Sequence, residues 1–216
     1  GILSADPELT EDLTKLFNQL SGFAPQSTYS RLLVAPSTLR SGIFERIDRE
    51  IENHKAGKPA GIQLKLNSIL DEGFVEKIYQ ASQAGVKIDL LVRGICAVQP
   101  GIKGVSENIT VKSVLGRFLE HSRIFHFVNG GNNEYWIGSA DLMGRNLDRR
   151  VESLVRIDKK EHQNRLQEIL DLGLSAESSS WQLSGIEWTR VSKNSKGEAL
   201  LDVHSAFIHT YSRERQ

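Results

Sequence analysis

Residues 117–150 hold the side chains whose types and spacing could carry chemistry. They read Arg117-Phe118-Leu119-Glu120-His121-Ser122-Arg123, an apolar run, a polar turn, then Gly138-Ser139-Ala140-Asp141 and Arg145-Asn146-Leu147-Asp148-Arg149-Arg150. A neutral imidazole can attack phosphorus or move a proton near neutral pH. Guanidinium forks neutralise and orient phosphoryl oxygens as charge shifts in a transition state. A histidine among arginines therefore suits phosphate. Residues 124–128 and 135–137 are strand-like runs separated by Asn129-Gly130-Gly131-Asn132-Asn133, so a hairpin is predicted. If its first strand already includes residue 121, His121 and Arg123 project from one face, two residues apart, and reach the same point in space.

Such residues need a scaffold, and the preceding chain has the pattern of one. Residues 32–35 are a short apolar run ended by Pro36. Ser37 is the expected cap of a helix that runs through Ile43, Phe44, Ile47 and Ile51 to about residue 55. Residues 62–66 alternate, with Gln63, Lys65 and Asn67 opposite Ile62, Leu64 and Leu66. Asp71 opens a helix through Phe74, Val75, Ile78 and Tyr79 that ends at Gly85, and residues 86–92 read as a second buried strand. Strand, helix, strand, helix, strand is the pattern of a parallel sheet flanked by helices, which makes the fold class α/β. Arg93 then falls at a strand's C-terminal end, where open α/β sheets bind ligands, and an arginine there is costly unless it meets an anion. Residues 109–114 and 151–157 read as further strands and residues 159–172 as a helix. Asp6 caps a first helix with Pro7 at its first position and apolar residues Leu9, Leu13, Leu16, Phe17 and Leu20. Residues 24–30 and 175–180 read as linkers, and residues 181–216 as a polar, partly ordered tail with a short amphipathic piece at 206–211 and no assigned chemistry.

At 216 residues, 39% hydrophobic and 25% charged, the chain can bury a real core. It has no apolar run of membrane-spanning length and no signal-peptide pattern at its start. The formal net charge is zero, yet residues 93–150 carry eight Lys or Arg against five acids. A locally positive stretch on a neutral protein suits an anionic substrate better than bulk nucleic acid or a membrane surface. Cys96, the one cysteine, lies beside Ile95, Ala97 and Val98 and reads as a small buried residue rather than a nucleophile. His54, His162, His204 and His209 have no partners at metal-site spacing and read as surface residues, and His126 as packing, so no metal site is expected. The one methionine, Met143, points to a fragment or a processed or engineered piece.

The spacing His121-x-Arg123 followed by Gly138-Ser139-Ala140-Asp141 resembles the His-x-Lys … Gly-Ser-x-Asn signature of the phospholipase D superfamily, with Arg123 for the usual Lys and Asp141 for the usual Asn. The carboxylate that comes after the Lys in that signature has no counterpart between Arg123 and Asp141. The wider wording is more specific. Leu91-Val92-Arg93-Gly94-Ile95-Cys96, Gly116-Arg117-Phe118-Leu119-Glu120-His121-Ser122-Arg123-Ile124, Asn129-Gly130-Gly131, Gly138-Ser139-Ala140-Asp141 and Arg145-Asn146-Leu147-Asp148-Arg149-Arg150-Val151-Glu152 together resemble the C-terminal part of the long-chain polyphosphate kinases, which make inorganic polyphosphate from ATP. The resemblance runs from Leu3 to about Leu174 and fades beyond.

The resemblance carries expectations for fold, chemistry and partners. It implies a phospholipase D-like mixed sheet flanked by helices, one half of a duplicated catalytic core. Residues 1–30 would be the closing helix of the preceding half and a linker, 31–174 the C-terminal catalytic domain, and 175–216 the tail. It also implies reversible phosphoryl transfer between ATP and inorganic polyphosphate through a phosphohistidine. ATP or ADP and polyphosphate are then the ligands, and Mg2+ enters with ATP on ligands outside this chain. The rest of the kinase chain is the partner, the full enzyme is a homo-oligomer, and the location is cytoplasmic, with peripheral membrane association compatible. In the family the phosphorylated histidine belongs to the other half, outside this chain, and the second histidine matches His121, which assists by acid or base work. Arg93 and Arg150 match phosphate-contacting positions, Arg123 joins them, and Arg149 faces solvent by alternation. Arg117, Arg145 and Asn146 either meet phosphate or hold the loop, Ser139 and Asp141 support it, and Lys65 and Asn67 stand behind these. Gln99 departs from the family pattern, as do Leu142 and Gly144, which replace the Trp and Pro of a Ser-Ala-Asp-Trp-Met-Pro-Arg loop and bear on its rigidity. The chain alone would keep half a site and turn over poorly or not at all. Two rivals stay open: a phospholipase D-type diesterase with His121 as nucleophile and a second half supplied by dimerisation, and a non-catalytic module that binds polyanions.

Overall fold

In the computed structural model, which describes residues 1–22 and 28–213, helices cover both faces of one mixed sheet. In chain order the elements are α1 (Pro7–Leu20), β1 (Leu32–Ala35), α2 (Leu39–Lys55), β2 (Ile62–Leu66), α3 (Glu72–Gln83), β3 (Ile88–Val92), β4 (Ile109–Ser113), β5 (Ile124–Phe127), β6 (Glu134–Gly138), β7 (Glu152–Ile157), α4 (Lys160–Leu174), β8 (Ser180–Ser184), β9 (Glu187–Val191) and α5 (Val203–Arg213). The strand order is β1-β7-β6-β5-β2-β3-β4-β8-β9. Only β2, β3 and β4 pair in parallel. The hairpin β5–β6 and strand β7 insert between β1 and β2, and each pairs antiparallel with its neighbours. A strand–helix–strand pattern fixes direction but not neighbour order; the sheet is mixed, as the family resemblance implied, and its parallel part is β2 to β4.

The core follows the apolar spacing. On one face Ile43 and Ile47 of α2 and Phe74 and Ile78 of α3 pack over Leu64, Leu90, Phe125 and Trp136. On the other, Leu170 of α4 meets Ile124, Tyr135 and Ile157, and Val203 of α5 meets Leu91 and Val114. Asp6 and Asp71 cap α1 and α3 as the sequence suggests, each carboxylate accepting a backbone N–H three residues on. Ser37 does not cap α2. It donates to the Val34 carbonyl, while Thr38 precedes the helix and its hydroxyl accepts from the Val34 N–H. The second buried strand starts at Ile88, because the Val86 N–H is taken by the Ala81 carbonyl at the exit of α3. Helix α1 is tied to β1 by the buried Asp12 carboxylate, which accepts from the N–H groups of Ser30, Arg31 and Leu32. Its Leu16 packs on Leu32 and Val34, while Phe17 and Leu20 face outward. Of the linker expected at 24–30, residues 24–27 lie outside those described. Among the described residues no helix is long and apolar enough to cross a membrane.

The segment read as linker and polar tail carries three elements instead. Strand β8 pairs with β4, β9 pairs with β8, and α5 packs Val203 and Phe207 against the sheet. The Lys112 ammonium donates to the carbonyls of Leu174 and Ser175 and so fastens the end of α4 beside this extension. The strands escaped the sequence reading because β9 is exposed along nearly its whole length, so no apolar alternation marks it.

Candidate functional site

Strands β2, β3, β4 and β6 run in one direction, so their C-terminal ends share one edge of the sheet. Four chemistry-bearing segments meet there: Asn67 after β2, Arg93 after β3, the loop at 114–123 after β4, and Ser139 to Asp141 after β6. One run of hydrogen bonds joins them. Arg93 Nε donates to Asn67 Oδ1 at 3.1 Å, and Asn67 Nδ2 donates to Asp141 Oδ2 at 3.2 Å. Arg123 Nη2 donates to the same oxygen at 2.8 Å, and Arg123 Nη1 donates to the His121 carbonyl at 2.9 Å. Asp141 is buried and also accepts from the backbone N–H groups of Asn67 and Ser68 at 2.7 and 3.2 Å. Burial pushes its carboxyl up, but the Arg123 guanidinium and the Asn67 donors outweigh that and hold it below the usual carboxylate range.

The two arginines of this run are placed differently. Arg123 has both terminal nitrogens committed, and a phosphate would have to compete with Asp141 for them. Arg93 commits Nε to Asn67, and its terminal nitrogens make no hydrogen bond among the described residues. Strand β5 begins only at Ile124, so His121 and Arg123 do not share a strand face, and it is the His121 backbone that Arg123 holds. The imidazole itself is exposed and, among the described residues, unbonded. With Ser122, Arg123 and Ser139 it lines a groove of about 790 Å³ whose other wall includes Leu9 and Leu13 of α1 and Ile169 of α4.

Behind the loop a second network was missed by the sequence reading. Lys65 Nζ lies 2.5 Å from Glu120 Oε2, and His204 Nε2 lies 2.7 Å from Glu120 Oε1. Burial pushes the Glu120 carboxyl up, and Lys65 and then His204 more than reverse that, leaving it lowered. His204, expected on the surface, is only 3% exposed. Its burial depends on α5, which the composition of the tail does not announce. His54, His162 and His209 are exposed. His126 packs as expected, stacked on Tyr135 and bonded to Gln63 and Asn133, and burial lowers its pKa. Cys96 is half-buried, and burial pushes its thiol up, away from nucleophilic use.

The remaining candidates lie around the groove or hold its walls. Ser139 is exposed, and its hydroxyl accepts from the Ser153 N–H at 3.3 Å. The loop after Asp141 is well anchored despite Leu142 and Gly144. Leu142 is fully buried, its carbonyl accepts from the N–H groups of Leu70 and Asp71, and Arg40 bridges Asp71 and Asp148. It continues as a π-helical turn, Arg145–Arg149, in which buried Asn146 donates to Glu152 Oε1 at 2.6 Å. Asn146 thus holds the loop. Arg117, Arg145, Arg149 and Arg150 are exposed, the last 4.0 Å from Glu152 Oε1. Among the described residues no three or more His, Cys, Asp or Glu side chains are grouped to hold a metal ion, and the oxygens of Asp141 are occupied by Asn67, Ser68 and Arg123.

Fold and site together define a mixed α/β domain with a cationic, histidine-bearing edge. The family model described as "Polyphosphate kinase C-terminal domain 2" matches residues 32–200, and the chain belongs to that family. The polyphosphate kinase of Streptomyces coelicolor is 51% identical over 100% of this chain, which spans 29% of that relative's length. That match continues past Leu174, where the resemblance had been expected to fade. The crystal structure of polyphosphate kinase from Porphyromonas gingivalis superposes with a TM-score of 0.90 at 34% identity, covering 98% of this chain and 33% of that one. A phospholipase D family member, Nuc from Salmonella typhimurium, aligns over 64% of this chain with a TM-score of 0.47 and 12% identity.

Proposed function

We propose that this chain supplies the second half of a site that reversibly transfers the γ-phosphoryl group of ATP to inorganic polyphosphate. The observation that carries the reading is the hydrogen-bonded run from Arg93 through Asn67, Asp141 and Arg123 to the His121 backbone. It fixes the Arg93 guanidinium and the backbone that carries His121 relative to one another, while leaving the terminal nitrogens of Arg93 and the ring of His121 uncommitted. A fixed donor set of this kind stabilises charge that develops on the equatorial oxygens of a transferring phosphoryl group.

In the first transfer, a histidine outside this chain forms an N–P bond as the bond from the γ-phosphorus to its bridging oxygen breaks and ADP leaves. In the second, a terminal oxygen of polyphosphate attacks the phosphorus and the N–P bond breaks. Arg93 holds a non-bridging oxygen in both steps. His121 donates a proton to the leaving ADP oxygen in the first and, as general base, takes a proton from the attacking terminal phosphate in the second. Arg150, exposed at the same edge, is free to meet the polyphosphate chain. Mg2+ arrives with the nucleotide, and no step above uses a ligand from this chain to hold it. Because the phosphorylated histidine lies elsewhere, the chain by itself does not turn over.

The test is polyphosphate synthesis from Mg-ATP by the full-length protein that contains this chain. His121→Ala is expected to lower kcat by about a hundredfold or more, the range of general acid–base assistance. Wild-type turnover in that variant would overturn the reading. Hydrolysis of phosphodiesters that disappears with His121→Ala would instead favour a diesterase.

A further inference from the structure

We propose that α5, acting through His204, positions the loop that carries His121; the proposal rests on the phosphoryl-transfer reading and adds to it a residue from the C-terminal extension. The loop between β4 and β5 has little of its own to hold it. Residues 115–119 and 121–122 are exposed, and sheet pairing resumes only at Ile124. Besides the bonds from Arg123 to the His121 carbonyl and from Lys65 to Glu120, what holds it is a buried imidazole 84 residues beyond Glu120 in sequence.

The geometry fixes how that ring is used. The Phe118 backbone N–H donates to His204 Nδ1 at 3.1 Å, so Nδ1 carries a lone pair and the ring proton is on Nε2. Nε2 then donates to Glu120 Oε1 at 2.7 Å, and the other Glu120 oxygen is held by Lys65 of β2. One ring therefore grips Phe118 and Glu120, the residues three and one before His121, and ties both to the sheet. The loop is shaped to receive it: a Cβ at Gly116 would lie 2.7 Å from His204 Nδ1, and the Phe118 ring sits 5.5 Å from the imidazole.

The same helix reaches the wall behind Arg93. Val203 and Phe207 close a chamber of about 20 Å³, room for one water, that Arg93, Lys65 and Glu120 also line. Helix α5 thus touches the loop of one site residue and the chamber beside the other. His204 is a positioning residue, acting through Glu120 and Phe118.

The experiment is a double-mutant cycle in the full-length protein, with hydrogen exchange at the Phe118 amide as a readout independent of turnover. His204→Ala is expected to lower kcat about tenfold, since small displacements of a catalytic group are costly, and to change the KM for ATP much less. In the His121→Ala background the same substitution is expected to have almost no further effect, because the two residues act through one loop. His204→Asn, whose Oδ1 can replace Nδ1 as acceptor, is expected to keep the Phe118 amide protected. His204→Gln, which can replace only the Nε2 donor, is expected to lose that protection, and His209→Ala, exposed on the same helix, should change nothing. If His204→Ala does not fold, the Asn and Gln variants carry the same cycle. An equal loss of kcat from the His204 variants in both backgrounds, or an unprotected Phe118 amide in the wild type, overturns the proposal. Failure of the phosphoryl-transfer reading is separate: it shows as wild-type kcat in His121→Ala alone, whatever the exchange result.

Discussion

Asp141 decides what the neighbouring cations can do. Its carboxylate, 8% exposed at the side chain, accepts from Arg123 Nη2, and Nη1 of the same guanidinium holds the His121 carbonyl. Without it a mostly buried guanidinium would face no counter-charge, and the Asn67 and Ser68 N–H groups would lose their acceptor. Asp141→Ala is expected to destabilise the fold by about 3–5 kcal/mol, the usual cost of breaking a buried pair from one side. An unfolding free energy from urea titration lowered by less than a quarter of that would contradict the assignment. At this scale the sequence made the participants visible and left their division of labour hidden. His121, Arg93, Arg123 and Asp141 stand out by type and spacing. That Arg123 holds the loop whereas Arg93 keeps free donors depends on Asn67, 26 residues before Arg93 and 74 before Asp141. Separations of that size have no local signature, and the same is true of Glu120 and His204.

Among the elements, the hairpin is the part that local chemistry determines most fully. Its turn holds Asn129, Gly130 and Gly131, all at positive φ, where glycine and asparagine are at ease. At the far end of β6 the demand is steric. A methyl group on Gly138 would collide with the Ser153 carbonyl oxygen and crowd Leu154 of β7. Gly138→Ala is expected to cost about 1–3 kcal/mol by overpacking, read as a lowered unfolding midpoint, and to displace Ser139 on the groove wall. An unchanged midpoint would show that β6 and β7 can part without penalty. The apolar periods of α2, α3 and β2 to β4 marked those elements well, because each buries a continuous face in one core. The insertion of β5, β6 and β7 beside β2 was not legible, since antiparallel partners are chosen by register across the sheet rather than by anything within a strand. Strands β8 and β9 were not legible for the complementary reason: backbone pairing holds them, and few of their side chains are buried.

The chain as a whole is neutral, and residues 93–150, which include Arg93 and the His121 loop at the C-terminal edge of the sheet, carry eight Lys or Arg against five acids. It spans about 29% of the Streptomyces coelicolor relative's length, so the proposed reaction belongs to the larger protein and this chain contributes one wall of its site. The groove beside His121, lined on one side by apolar residues of α1 and α4 and on the other by Arg123 and Ser139, is open in this chain. The central claim is that the phosphate path crosses this edge at Arg93. The most direct measurement is a calorimetric titration of the full-length protein with short-chain polyphosphate, for the wild type and for Arg93→Ala. The account predicts saturable binding that the substitution weakens about tenfold, close to 1.4 kcal/mol. Equal affinity in a folded Arg93→Ala protein would contradict it and place the phosphate path elsewhere.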